Sequence, residues 1–323
     1  MFGTPCRRAL LAVLLLPLPA GAASADDSRK SSRFDVAAEG ANRDARSTAS
    51  SSDPDWRRVS VRLTGALGEL RGGDVNDGVA FWSAAFESLL YNEVGGLQPG
   101  DGGEPAALRR TTEFGADVVI HLTPRVAIVG GVGRLGASSE AAIEHAVVYA
   151  QRRGMTRNAT ALRVSSVPLR LGAQYTTPVG RRVRLAVEGG AGLYFTGLSW
   201  LHELDVDGRL SSWVSETRGN DIGWHGGVWI DVGLSDRFGL VLGLEAVRAD
   251  VGGLHGFREG TFSYRSPTRD DGALTMAGPK PPQFLIVGQG SWVNERYGPI
   301  TPVREATVGL SGLRFRGGLR VGL

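Results

Sequence analysis

The sequence predicts an all-β fold, an eight-stranded antiparallel transmembrane up-and-down β-barrel with long external loops. Three observations predict it. From Arg58 onward, segments recur in which apolar and polar residues alternate, and a side-chain period of two marks a strand with two unlike faces. The connections between these segments alternate between short and long. The alternation also continues through Leu313 to Leu323 (LRFRGGLRVGL) to the final carboxylate, where chains ordinarily fray unless a sheet ties them down.

Residues 1–25 read as an export signal. Arg7 and Arg8 precede an apolar run, Ala9 to Leu18, that is too short to span a bilayer. Ala23-Ser24-Ala25 then offers a small-x-small cleavage site. Residues 26–55 are rich in Ser, Ala, Asp and Arg. With too little apolar surface to offset ordering entropy, they read as a flexible periplasmic segment. Residues 56–323 are the predicted barrel domain. The single cysteine, Cys6, departs with the signal, leaving no thiolate for a metal site or a disulfide. The formal net charge is only +3 and the arginines are spread along strands, which excludes a nucleic-acid surface.

The first strand spans Arg58 to Glu69, with Val59, Val61, Leu63 and Leu67 opposite Arg58, Ser60, Arg62 and Thr64. The second, near Arg110 to Leu122, sets Phe114, Val118 and Ile120 against Glu113, Asp117 and His121. After Thr123-Pro124-Arg125 comes the third, Val126 to Ala137. The fourth, near Leu162 to Thr176, opposes Val167, Leu169 and Leu171 to Arg170 and Gln174. Thr177-Pro178-Val179-Gly180 is a tight turn by its Pro and Gly chemistry. The fifth then runs through Leu185, Val187, Leu193 and Phe195, against Arg184, Glu188, Tyr194 and Thr196. The sixth places Ile222, Trp224, Val228 and Ile230 opposite His225 and Asp231. Leu234 to Arg237 turns into the seventh, with Phe238 to Leu244 opposite Val241 and Glu245, and the eighth ends the chain.

Three connections are a few residues long. The other four, among them about 70–109 and 252–303, are long. If every strand reverses direction, the short turns gather at one end and the long loops at the other, the asymmetry of an outer-membrane barrel. In the first long loop Asp77 could cap a helix with Val79, Trp82, Phe86 and Leu89 on one stripe. Such a stripe must be covered, and the barrel rim lies nearest.

Alternation alone fits a soluble barrel equally, with apolar residues inward. Export, a polar face of mixed charge with many glycines, and Tyr175, Tyr194, Phe195, Trp200, Trp224 and Phe238 near strand ends as an aromatic girdle favour the membrane orientation. The inward charges then form a network of Arg58, Arg62, Arg182, Arg184, Glu188, Asp231, Glu245, Arg314, Arg316 and Arg320. Buried charge demands partners, and arginine outnumbers acid in this set. That leaves room for an anion or for further acids.

The segments VRLTGALGEL, VPLRLGAQYTTPVGRRVRLAVEGGAGLYF and VGLSGLRFRGGLRVGL are similar to those of the small eight-stranded outer-membrane barrels of the OmpA and OmpX type. The resemblance covers about Arg58 to Leu323. It implies outer-membrane localisation, with the bilayer and the outer-membrane assembly machinery as partners. Chains of that group end in an aromatic residue, whereas this one ends in Leu323.

Three motifs imitate chemistry. Gly131-Val132-Gly133-Arg134-Leu135-Gly136 is a formal G-x-G-x-x-G, but the acid that a dinucleotide fold places about twenty residues on is missing. Glu203, Asp205, Asp207 and Gly208 resemble the start of a calcium loop. Val214 stands where the bidentate Glu belongs, so a hairpin tip at Asp207-Gly208 is the simpler expectation. Five histidines (His121, His145, His202, His225, His255) form no Ser–His–carboxylate set by strand parity. The expectation is therefore a non-enzymatic protein with no catalytic residue, cofactor or metal, acting structurally or in adhesion or surface recognition through its external loops. A narrow gated pore and a soluble periplasmic ligand-binding barrel remain the alternatives.

Overall fold

The computed structural model describes residues 59–80, 97–98, 107–149, 152–206, 208–262, 265–277, 283–287 and 302–323. The expected export signal, the segment 26–55, Arg58, Trp82, Phe86 and Leu89 lie outside these residues. Ten strands organise the rest: β1 (Val59–Glu69), β2 (Arg110–His121), β3 (Val126–Tyr149), β4 (Arg152–Pro178), β5 (Val183–Val206), β6 (Arg209–Gly233), β7 (Phe238–Arg248), β8 (His255–Phe262), β9 (Arg265–Ala277) and β10 (Gly312–Gly322). Strands β1 to β7 pair antiparallel in sequence order, and β10 pairs with both β7 and β1. The result is a closed ring of eight strands without an edge, which removes the unpaired backbone an open sheet would expose.

The last strand closes the ring as its alternation requires. Val61 lies opposite Val321 and Leu67 opposite Phe315, and the Leu323 amide donates to the Val59 carbonyl at 3.0 Å. Two of the short turns share one construction. The Thr123 hydroxyl accepts from the Val126 amide (3.0 Å), and the Ser235 hydroxyl accepts from the Phe238 amide (3.1 Å). Each side chain supplies the partner that a tight turn denies to its own backbone.

The structure departs from the sequence expectation at the opposite end. The third-to-fourth and fifth-to-sixth connections are not loops. Strands β3 and β4 continue in register to Tyr149 and Arg152, and β5 and β6 to Val206 and Arg209. The physical reason is an exchange of faces within each strand. On β4 the outward residues Val167, Leu169 and Leu171 are exposed and apolar, while Arg170 and Gln174 point inward and are buried. Farther along, Leu162 and Val164 are the buried, inward residues and Arg163 and Ser165 are exposed. The strand's parity never slips, but the hydrophobic parity inverts, so the pattern looks like a strand end.

Beyond the ring, β8 pairs with the outer half of β6, Phe257 facing Glu216, and β9 pairs with β8. The sheet therefore continues as β3-β4-β5-β6-β8-β9. Inside the mouth lies a plug. Gly72–Gly73, Asp250–Val251 and Val308–Gly309 form a small three-stranded sheet, followed by a helix described over residues 74–80. The positive φ values of Gly72 and Gly73, 71° and 61°, suit glycine alone at this entry to the helix. The helix starts at Asp74, not after Asp77, and it buries Val75 and Val79. Leu70, Leu108, Leu135, Leu162, Leu198, Trp200, Val251, Leu254, Val308 and Leu310 complete one apolar cluster.

Asp74 clasps the plug. Both of its carboxylate oxygens accept from Arg304 at 2.5 Å, and one also accepts from the Thr307 amide and hydroxyl at 2.9 Å each. Burial would raise the Asp74 carboxyl, but the donated hydrogen bonds from Arg304 and Thr307 outweigh it and hold the group below its ordinary value.

Candidate functional site: a neutralised barrel interior

Below the plug the inward side chains are charged, and they come from seven of the eight ring strands, all but β3. Glu113 on β2 is the hub. It accepts from Arg314 at 2.6 Å and from Arg170 at 2.7 Å, and also from Arg316. Arg316 reaches Glu245 on β7 at 2.9 Å, and Arg170 lies 3.7 Å from the same carboxylate. A second node forms on Arg62. It donates to Glu188 at 2.8 Å and to Gln174 at 3.2 Å, lies 3.9 Å from Asp117, and covers the Trp229 ring at 4.8 Å. Asp117 ties the nodes together through Arg170, 3.6 Å away. Nearer the short turns, Arg320 pairs with Asp231 at 2.7 Å. A small apolar patch of Val119, Ala127 and Val129 fills the same end.

Four arginines (62, 170, 314, 316) thus face four carboxylates (113, 117, 188, 245). The excess of arginine expected from the sequence disappears once Glu113 and Asp117 are counted. Of the ten residues expected in the network, Arg62, Glu188, Glu245, Arg314 and Arg316 meet in it, and Asp231 and Arg320 form their own pair. Arg184 is half-buried opposite Asp231 in the β5–β6 register. Arg182 is exposed in the turn before β5 and takes no part, although its carbonyl accepts from the Gly233 amide at 2.7 Å. Arg58 lies outside the described residues. Glu113, Asp117, Arg170 and Gln174 carried a usable signal, since each falls on the polar parity of a strand whose other face is apolar.

The glycine motif of β3 now has a structural meaning. Gly131 and Gly133 face inward, and a Cβ added at either would lie 2.0 Å from an Asp117 oxygen or 2.8 Å from a Glu113 oxygen. The glycines make room for the two acids; strand, not helix, follows them. Gly243 plays the same part for an aromatic ring, its added Cβ meeting Trp229 at 2.5 Å. The acidic motif of the β5–β6 connection is a two-residue hairpin turn, with Val206 paired to Arg209. There Gly208 takes φ 80° and donates to Asp205 at 2.9 Å. Among the described residues no group of three or more His, Cys, Asp or Glu is placed to hold a metal.

Two aromatic residues expected in an outer girdle belong inside. Tyr194 and Trp200 are buried, while Tyr175, Phe195, Trp224 and Phe238 are exposed on the outer face. Their even numbers on β5 give the inward parity of Glu188. His202, also inward on β5, stacks on Trp213 with centroids 4.0 Å apart. Burial and then the nearby Arg258 cation push its imidazole down to about 3.

No protein family and no curated protein matches the chain. Among solved structures it is similar to the outer membrane protein OprG from Pseudomonas aeruginosa, at 11% identity and a TM-score of 0.33, covering 81% of this chain and 94% of that one. The strand pairing itself establishes the eight-stranded ring.

As an arrangement, the site does one thing well: it closes the ring's interior. Arg314 and Arg316 are 0% and 2% exposed, so no water column runs past them, and the apolar plug lies above. Each charge retains a partner, as burial in a low-dielectric interior requires.

Proposed function

We propose that this chain is an outer-membrane β-barrel without a catalytic role, acting in surface recognition or envelope contact through the strands that extend beyond the ring. One observation carries the reading: around the ring the outer face is apolar and the inner face is charged. Phe114, Leu171 and Trp224 are 72%, 65% and 66% exposed, in a continuous belt far larger than a water-facing surface tolerates. On β4 the belt runs from Val167 to Tyr175. Eight steps of ~3.3 Å, tilted by about 40°, give a band of roughly 20 Å, near the height an outer-membrane barrel presents to lipid. No helix of the described residues is long and apolar enough to cross a membrane, so any crossing falls to the strands.

Assembly into the membrane through the barrel-assembly machinery follows from the same reading. The closed interior favours a structural or recognition role over a pore. The sheet β3-β4-β5-β6-β8-β9 supplies a rigid platform beyond the bilayer, and binding residues carried on such scaffolds are common.

The test is electrophoretic mobility of the detergent-extracted membrane fraction before and after boiling. A compact species that slows on heating is expected. Release into the soluble fraction without detergent would instead identify a soluble ligand-binding barrel. In planar bilayers the protein should show no resolved conductance steps; steps abolished by Glu188→Gln or Glu245→Gln would identify the pore.

A further inference from the structure

The two faces of the wall exchange character along one line, and on the outside that line holds a hollow. Five adjacent strands, β2 to β6, line a shallow depression of about 740 Å³. The apolar belt ends immediately below it, at Phe114, Val167, Phe195 and Ile222. Arg110 on β2, Arg163 on β4 and Arg218 on β6 stand along it, all exposed. Hydroxyls of Ser138, Ser165 and Ser199 lie between them.

We infer that this hollow binds the headgroup of a membrane glycolipid carrying more than one phosphate. The inference rests on the membrane reading above, which puts the hollow at headgroup depth on the side opposite the short turns. Cations at that depth meet the phosphates of lipid rather than bulk water. Arg110 and Arg163 lie level two strands apart, about 10 Å, and Arg218 stands two strands on and two residues along, about 12 Å from Arg163. That spacing fits separate phosphates on one headgroup better than a single anion. A guanidinium presents a fork of donors matched to phosphate oxygens, and the serine hydroxyls between suit sugar hydroxyls.

Three carboxylates share the surface, and one of them, the exposed Glu69, lies opposite Arg110 in the β1–β2 pairing. Glu140 lies 3.5 Å from Arg163, with both side chains more than 60% exposed. A pair so solvated is weak and yields to a phosphate. Glu216 also lines the hollow, where it accepts from a sugar hydroxyl.

The test uses the full chain reconstituted in phosphatidylcholine vesicles, with and without added diphosphorylated lipid A, and reads lipid retained by the protein after detergent extraction. Flotation with phosphatidylcholine vesicles alone scores the membrane reading independently. Among proteins that float, the wild type should retain lipid A. The variant R110Q/R163Q/R218Q should retain it at least about tenfold more weakly, as loss of charge-assisted hydrogen bonds requires. The variant R125Q/R181Q/R237Q removes the same charge from the exposed short turns and should retain lipid A as the wild type does. Equal retention by the hollow variant, or equal loss in the turn variant, would overturn the site. Displacement of lipid A by micromolar inorganic pyrophosphate would overturn the lipid assignment in favour of a free anion.

Discussion

The inner and outer halves of β3 to β6 are built on opposite plans. In the ring the wall shows apolar side chains outward and an ion-paired network inward. Beyond it the same strands show Glu140, Glu144, Arg157 and Arg163 outward and Leu162, Val164, Leu198 and Trp200 inward. No bulge or reversal is needed, because the pleat supplies two faces and the sequence only exchanges their chemistry. The lesson is that the surroundings choose the face. A wall against hydrocarbon keeps polar groups inside, and a wall against water keeps apolar groups inside. On the membrane reading proposed above, the line of exchange marks the bilayer surface in the protein's own residues.

If the ring depends on its paired charges, removing the hub must do the most damage. Glu113→Ala leaves Arg170, Arg314 and Arg316 without their shared acceptor. A cost of about 3–5 kcal/mol is expected, the penalty for orphaning one side of a buried ion pair. The compact band of the unboiled membrane fraction should be lost. Beyond the ring the equivalent injury is apolar. Leu162→Ala empties part of the plug cluster at about 2–4 kcal/mol, and the compact band should survive while proteolysis of β3 to β6 accelerates.

A charge placed on the outer face separates the two halves directly. Leu171→Arg sits in the belt and should cost about 2–4 kcal/mol in a bilayer. Ala142→Arg, equally outward on β3 but past the line, should change stability by less than about 0.5 kcal/mol. Urea-induced unfolding in lipid vesicles measures both. Equal costs would mean that the belt does not face hydrocarbon.

The same exchange decides how much of the molecule was legible in sequence. Within the belt the alternation was unbroken, so the eight ring strands, their order and the closure by Leu313 to Leu323 were readable. So was the polar parity of Arg62, Glu188, Glu245, Arg314 and Arg316. At the line the signal inverts between Val164 and Val167, and a reader following apolar parity ends the strand there. Tyr194 and Trp200 misled for a related reason, since an aromatic residue near a strand end suits a girdle or a plug equally. Arg182 had the right parity but no strand to hold it, because the chain is still turning there. The pairing of Glu113 with three arginines depends on β2, β4 and β10 meeting across the interior, and no local pattern encodes that.

His202 offers a milder way to loosen the outer half. Its imidazole is held at about 3, well below the unfolded value near 6.5. Between those pH values the unfolded chain binds a proton that the folded chain refuses, so stability rises with pH across that window. Acidification from about 6.5 towards 3 should therefore lower the amide protection factors, taken relative to the intrinsic exchange rate at each pH, in the outer parts of β5 and β6. His202→Phe keeps a ring against Trp213 and should abolish that pH dependence.

The smallest effect concerns ion pairs that look alike on paper. Arg157 lies 3.8 Å from Glu144, and Arg170 lies 3.7 Å from Glu245. The first pair is 61% and 58% exposed, the second 5% and 3%. In water the first gains little, because solvent screens it and two long side chains must be held still. Glu144→Gln should shift stability by less than about 0.5 kcal/mol, at low and high salt alike. Glu245→Gln removes a charge that Arg170 and Arg316 both need inside the ring, and it should cost several-fold more. Comparable losses for the two would place both pairs in the same medium and erase the boundary between the halves.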